Sequence, residues 1–365
     1  MTEFRECQLR DIVCFGNGKA RPKAEGNIPV YGGNGILEYA DQFNYDGETI
    51  IIGRVGAYCG SVFYENRPIW ISDNALAAKP KGSNSTKYLY YLLKLSDLNQ
   101  HAEGSSHPLI TQTLLNSVEV MYCEDVIIQK AIAEVLSSLD DKIDLLTRQN
   151  KTLEDLAQTY FRKWFVEDAS EDWDVVPISS KYNILLGGTP SRKIESYWKN
   201  GTVGWINSGK VNDFRILEAS EFITEEALQK SAAKLLPAGT TVIAITGATL
   251  GQISIIEYSF AANQSVIGLV PKAELSNNFI YLWLKENLDA LVSRQTGGAQ
   301  QHINSDDVKS FEVVVPNSKM VNLFSIVIDP MMEKISRNCF QILILQKLRD
   351  TLLPKLISGE VRVKQ

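Results

Sequence analysis

Cysteine and histidine are scarce in this 365-residue chain, and their positions form no pattern. Cys7, Cys14, Cys59, Cys123 and Cys339 include no CxxC pair, and His101, His107 and His302 show no ligand spacing. Neither a disulfide framework nor a metal site is expected, and the thiols are read as reduced and packed. No apolar run approaches the ~18 residues of a membrane span. The start, Met1-Thr2-Glu3-Phe4-Arg5-Glu6, is charged and lacks the apolar segment of a signal peptide. These features point to a cytoplasmic protein with no membrane contact.

Basic residues are also in deficit. Lys and Arg number 37 against 43 Asp and Glu, a net charge of −6. The basic excess common in nucleic-acid-binding domains is therefore missing. Nucleic acid is not excluded, because acids collect on helical segments: Glu124, Asp125, Asp140, Asp141, Asp144, Glu154 and Asp155. Catalytic signatures are absent as well. GxxxxGK[ST], GxSxG and HExxH do not occur, and Gly18-Lys19 and Gly209-Lys210 are followed by Ala and Val. Without a Pro-Pro dipeptide there is no Asn/Asp-Pro-Pro-aromatic box of amino-methyltransferases. No cofactor is expected, and the chain reads as a binding protein without chemistry of its own.

What is present is said twice. Gly56-Ala57-Tyr58-Cys59-Gly60 answers to Gly247-Ala248-Thr249-Leu250-Gly251, Pro80-Lys81 to Pro271-Lys272, and Tyr90 with Lys94 to Tyr281 with Lys285. All three share an offset of 191 positions. That is far beyond the roughly 20–50 residues of a solenoid repeat. A whole module, globular block plus helix, is duplicated, as in a protein that touches two similar things at a fixed separation. We expect a first block over 1–122, a central spacer helix over 123–167, a second block over 168–316 and a closing helix over 317–365. A chain of this length exceeds a single core, so two or more domains are expected.

Strand-like runs recur at Thr49–Ile52, Cys59–Tyr64 and Ala75–Ala78, then at Thr241–Ile245, Gln252–Ile256 and Val266–Val270. A helix is expected over Lys87–Leu95. Ile132, Val135, Leu139, Ile143, Leu146, Asn150, Leu153, Ala157, Tyr160 and Trp164 step by three or four, a heptad seam. The closing helix is expected from about Val321, broken at Pro330, to Leu353, with Pro354 and Gly359 marking its end. Two such helices suggest an antiparallel coiled-coil pair; the alternative is one independent core helix per block. The second block is about 16 residues longer in its early part, since Gly26 matches Gly201 while later positions are offset by 191.

Four constellations could carry binding. The turn Ile28–Gly35 would project Tyr31 and Asn34, and its counterpart Val203–Lys210 offers an aromatic, Asn207, Ser208 and Lys210. Lys19, Arg21 and Lys23, with Thr189, Ser191, Arg192 and Lys193 in the second block, combine cations, hydroxyls and exposed N–H groups suited to phosphate. Gln300 and Gln301 beside His302 could read adenine, and Arg54 and Arg294 a guanine edge or a phosphate. Each also has a plain reading, as a β-turn, a solvated loop or a surface ion pair.

Together these residues resemble the specificity subunit of Type I restriction–modification enzymes, over nearly the whole chain. The resemblance rests on the Pro29–Gly35 turn, the Thr246–Gly251 turn, the Asn263-Gln264-Ser265 step, the Gln300-Gln301-His302-Ile303 loop and the closing Leu352–Val361 segment. It implies an α+β fold, with two duplicated target-recognition domains joined by two long helices. It also implies a double-stranded DNA target in two halves, two methyltransferase subunits docked on the helices, and restriction/translocase subunits. Tyr58, Ser106, His107 and Thr249 then join the candidate DNA contacts. Asp73-Asn74-Ala75 and Ser105-Ser106-His107 depart from the second block's pattern, which leaves the base contacts open. Two other readings stand beside it: a DNA-modifying enzyme with unrecognised motifs, and a scaffold for two proteins.

Overall fold

The computed structural model describes residues 4–104, 108–272, 275–294 and 302–363. The chain divides into two compact units, residues 1–144 with 344–365 and residues 145–343. Each long helix lends one part to each unit.

In the first unit a four-stranded antiparallel sheet runs in the order Val13–Asn17, Ala75–Pro80, Glu48–Gly53, Val62–Asn66. In its inner strand Glu48–Gly53, Ile50, Ile51 and Ile52 are apolar without alternation because both faces are covered. Ile50 and Ile52 point to one core with Leu76, Ala78 and the helix residues Tyr88, Leu89 and Leu92. Ile51 points to another with Tyr31, Ile69, Ile71, Ala75 and Ala77. Successive strand residues face opposite ways, so a strand buried on both sides must be apolar throughout. The covering helix, Thr86–Leu95, is capped by Ser85, whose hydroxyl accepts from the Tyr88 N–H. On the opposite face lies a small sheet of Gly35–Ala40, Glu25–Gly32 and Trp70–Ile71. Phe4–Gln8 pairs with Glu119–Cys123 at the base.

The second unit repeats the plan. Tyr182–Leu186, Val266–Pro271, Thr241–Ala244 and Ile253–Ile255 form the sheet in the same order. Ile243 and Ile267 face one core and Val242 and Ala244 the other. Asn277–Glu286 covers the first face, capped by Ser276. The extra residues of this unit fall between Val203–Ile206 and Thr241–Ala244, as the turn Ser208–Asn212 ahead of strand Glu221–Ile223, which matches Gly35–Ala40, and as helix Glu225–Lys230 and strand Leu235–Leu236 after it. The small sheet therefore gains a fourth strand.

The central helix, Val126–Arg162, ends in a π-turn over Lys163–Glu167. The closing segment is two helices, Ser318–Val327 and Asp329–Ile357. The interruption falls at Ile328, and Pro330 sits in the first turn of the second helix, where its missing N–H forfeits no bond. That helix also continues through Pro354, which lies in its last turn, so Pro354 does not end it as the sequence suggested. Gly359 does, at φ +77, packed so closely on Phe4 that a Cβ would clash with the ring.

In the first unit Ile132, Ala133 and Leu136 share a core with Leu353, Leu356 and Ile357, and Arg349 pairs with Asp140 at 2.6 Å. In the second, Ala157 and Phe161 share a core with Met332, Ile335 and Cys339. The early part of the central helix thus meets the late part of the closing one, and the late part the early, an antiparallel sense. The heptad seam needs correction at its end. Tyr160 is 39% exposed, while Phe161 is buried among Phe165, Phe279, Trp283 and Phe324. A helix of 3.6 residues per turn drifts against a strict heptad, and the buried stripe has moved by one residue.

Candidate nucleic-acid interface

In both units one end of the central sheet gathers turns from distant parts of the sequence. The Arg54 N–H donates to the Asn74 carbonyl at 2.9 Å, and the Arg54 carbonyl accepts from the Ile110 N–H at 2.9 Å. The Ser72 N–H donates to the Tyr31 carbonyl at 2.9 Å, and the Lys19 N–H to the Ile71 carbonyl at 3.0 Å. The second unit makes the same four bonds. Ile245 donates to Ser265 (2.9 Å) and accepts from Ile303 (3.0 Å), Asn263 donates to Ile206 (3.0 Å) and Gly188 to Ala262 (2.8 Å). The segment leading into each glycine turn, the Asp73-Asn74 or Gln264-Ser265 turn, the chain at Ile110 or Ile303 and the cationic loop are thereby brought together twice. Loops set on the ends of a rigid sheet are a common place for binding residues.

Glycine permits the close approaches. Gly56 and Gly247 hold φ of +78 and +66, which side-chain-bearing residues rarely adopt. At Gly53 a Cβ would lie 2.5 Å from the carbonyls of Gly33 and Tyr58. In the hairpin Glu25–Ala40, Gly32 pairs with Gly35, so Gly33 and Asn34 are its two turn residues, and Asn34 is exposed.

Several expected contact residues stand at this end with exposed side chains: Lys19, Lys23, Asn34, Tyr58, Ser191 and Lys193. Arg54 is half-buried, and its Nε is buried without a partner among the described residues. Thr249 is half-buried in the second glycine turn and donates to the Thr246 carbonyl at 3.3 Å. His302 is exposed and bridges Thr246. Arg294 is exposed, lies over the Phe311 ring at 4.8 Å and reaches the Ser310 hydroxyl at 3.4 Å. Ser106, His107, Gln300 and Gln301 lie outside the described residues.

Other expectations are corrected. Tyr31 does not project: it is 6% exposed and donates its hydroxyl to Glu65 at 2.6 Å, and burial pushes its pKa well up. It is not the counterpart of Trp205 either. Both Tyr31 and Ile206 pair with the residue before Ser72 or Asn263, so Trp205 corresponds to Val30. Asn207 is exposed, but its side chain caps the turn Ser208–Asn212 by accepting from the Lys210 N–H at 3.3 Å; Ser208 is half-buried in that turn. Lys210 is taken up by Asp213 at 2.8 Å. Thr189 gives its hydroxyl to the Gln264 side chain. Arg192 is held by Glu221 through two bonds of 2.6 and 2.7 Å, its guanidinium 3.5 Å above the Trp198 ring. The hydrogen bond lowers the Glu221 carboxyl below its ordinary range and raises Arg192. Arg21 meets Glu38 at 3.4 Å. Neither glutamate was singled out from the sequence.

The family description "Type I restriction modification DNA specificity domain" matches the chain twice, over residues 1–155 and 170–335. Among curated relatives, the MjaIX specificity subunit of Methanocaldococcus jannaschii is 27% identical over 332 residues, covering 84% of this chain and 76% of that protein. The EcoR124I/EcoR124II specificity subunit of Escherichia coli is 25% identical, covering 74% of each. A crystal structure of the S subunit of a Type I system from M. genitalium superposes with a TM-score of 0.68 over 97% of this chain and 96% of that one, at 18% identity, a likeness of fold.

Proposed function

The chain belongs to the Type I restriction modification DNA specificity family, and from that premise we infer that its two units each read one half of a split DNA target for methyltransferase and restriction partners. The observation that carries this reading is the fourfold convergence of turns, built in both units by corresponding backbone bonds. Duplicated architecture with diverged loop residues is what two different half-sites require. The chain directs modification and cleavage without performing either.

The functional segments are a first recognition region over 1–122, a spacer helix over 123–167, a second recognition region over 168–316 and a closing helix over 317–365. Two methyltransferase subunits dock on the helices, where Ile127, Leu145, Leu156, Ile344 and Leu348 are exposed apolar side chains. Restriction/translocase subunits join through them. No helix among the described residues is long and apolar enough to cross a membrane, and the complex works in the cytoplasm, where the DNA is. With a net charge of −6 the chain has little electrostatic surplus, so it binds DNA weakly alone and tightly with its methyltransferase. Methylation mapping of the host with and without the gene tests the reading. We expect a gapped, bipartite motif that disappears on deletion; a continuous motif, or unchanged methylation, would overturn it.

A further inference from the structure

Two ion pairs occupy corresponding places in the two units. Glu38 lies opposite Val30 on the outer strand Gly35–Ala40, with Tyr39 opposite Pro29. Glu221 lies opposite Trp205 on the outer strand Glu221–Ile223, with Phe222 opposite Gly204. Val30 and Trp205 are themselves equivalent, since they pair in parallel with Trp70 and Ala261, which are 191 apart. Each glutamate therefore sits at the same register position beside an exposed aromatic, Tyr39 at 51% and Phe222 at 55%. Each receives an arginine from the cationic loop, Arg21 two residues after Lys19 and Arg192 four after Gly188. The loops differ in length and sequence, yet the pairing recurs.

All four side chains are about half exposed. Exposed ion pairs contribute little to stability, so stability gives a weak reason for building one twice. The location gives a better one. Both arginines are on the loops suited to phosphate, and a carboxylate engages the guanidinium fork as a phosphate would. We propose that Glu38 and Glu221 are specificity-determining residues, which hold Arg21 and Arg192 off the DNA backbone until correct base contacts have formed. The proposal rests on the DNA-reading function inferred above. Non-specific affinity grows with each phosphate neutralised, whatever the sequence. An arginine occupied by an internal carboxylate adds nothing to it. On the cognate site, base contacts supply the free energy to exchange carboxylate for phosphate, so affinity there is kept and the ratio of specific to non-specific binding widens.

The test uses the full-length chain in complex with its methyltransferase, titrated with a mixed-sequence duplex and with a duplex carrying the mapped motif, across a salt series. Glu38→Gln and Glu221→Gln should each tighten binding to the mixed-sequence duplex several-fold, with the salt slope steeper by roughly 0.9 per released arginine. Binding to the motif duplex should change less. Glu226→Gln is the control: it removes the same charge and breaks an exposed pair with Lys230 at 3.0 Å on the neighbouring helix. It should leave the slope as it was. Adding Arg192→Gln to Glu221→Gln should cancel the gain. A Glu221→Gln response equal to that of Glu226→Gln, a loss of affinity, or a gain that survives removal of Arg192 overturns the proposal while leaving DNA reading intact. An unaltered complex that does not prefer its motif duplex removes the DNA-reading function, and the proposal with it.

Discussion

The two units share a sheet order, a capped covering helix and a set of turn-to-turn bonds, and they differ in how they are fastened. The first grips the helix pair through aliphatic side chains, Leu353, Leu356 and Ile357 against Ile132 and Leu136, with Tyr91 and Arg349 both bonded to Asp140. The second uses an aromatic cluster around Phe161 and a line of buried polar groups. Asn150 donates to the Cys339 sulfur at 3.3 Å and accepts from Asn338 at 2.8 Å, and Lys285 meets Glu154 at 2.9 Å. The arginine–glutamate pairs follow suit: one contact of 3.4 Å in the first unit, a stacked, two-bond pair in the second. Duplication preserves the backbone frame that places the turns, while each unit solves its own packing.

The largest expected effect probes the packing. Phe161→Ala in the second unit should cost about 3–5 kcal/mol, since a fully buried ring contacting four others leaves a cavity that cannot collapse. Leu353→Ala, 192 positions on along the closing helix in the first unit and 8% exposed, should cost about 2–3 kcal/mol. Urea unfolding of the intact chain, with hydrogen exchange to locate the loss, makes the comparison. Equal costs would show that the aromatic cluster is no better packed than the aliphatic one.

Next comes the polar line. Asn150→Leu should destabilise by about 1–3 kcal/mol, because it strips a hydrogen-bond acceptor from the buried Asn338 amide. Asn150→Leu combined with Asn338→Leu should recover much of that loss; a double mutant costing the sum of the singles would deny the coupling.

Cysteine reactivity separates one thiol in each unit. Cys339 is buried, and desolvation pushes its thiol up to about 11, whereas Cys14 in the first unit is exposed. A folded-state value raised above the unfolded one leaves stability whole below the unfolded value, near 9, and drains it as pH climbs toward the folded one. Stability should therefore fall between about pH 9 and 11, and Cys339→Ser should flatten that decline. Alkylation at neutral pH, followed by mass spectrometry, should mark Cys14 well before Cys339; the reverse order would contradict the burial.

The smallest stability effect belongs to the arginine–glutamate pairs. Glu221→Gln should cost under about 1 kcal/mol and Glu38→Gln less still, as exposed pairs do. A thermal shift larger for Glu38→Gln would invert the ranking that their geometries suggest.

Much of this was legible in sequence because it is local or repeated. A run such as Ile50-Ile51-Ile52 is apolar at every position only if both faces are covered, and the stepped apolar residues of Val126–Arg162 require a long helix. The constant offset of 191 announced the duplication. The offset also misled. Carried back to Glu38 it points to Gln229, whereas sheet register pairs Glu38 with Glu221. The extra residues of the second unit lie partly before Glu221 and partly between it and Thr241, so no single shift aligns both sides of them.

The sequence by itself determined that there are two modules, where their long helices and main sheet strands run, and which family they resemble, since repetition and order need no knowledge of neighbours. Only the tertiary structure decided which polar side chains are available. Tyr31, Asn207, Lys210 and Arg192 look alike as candidates on paper. Each is spent on Glu65, a helix cap, Asp213 or Glu221, because a side chain's partner is set by what the fold places within about 3 Å of it.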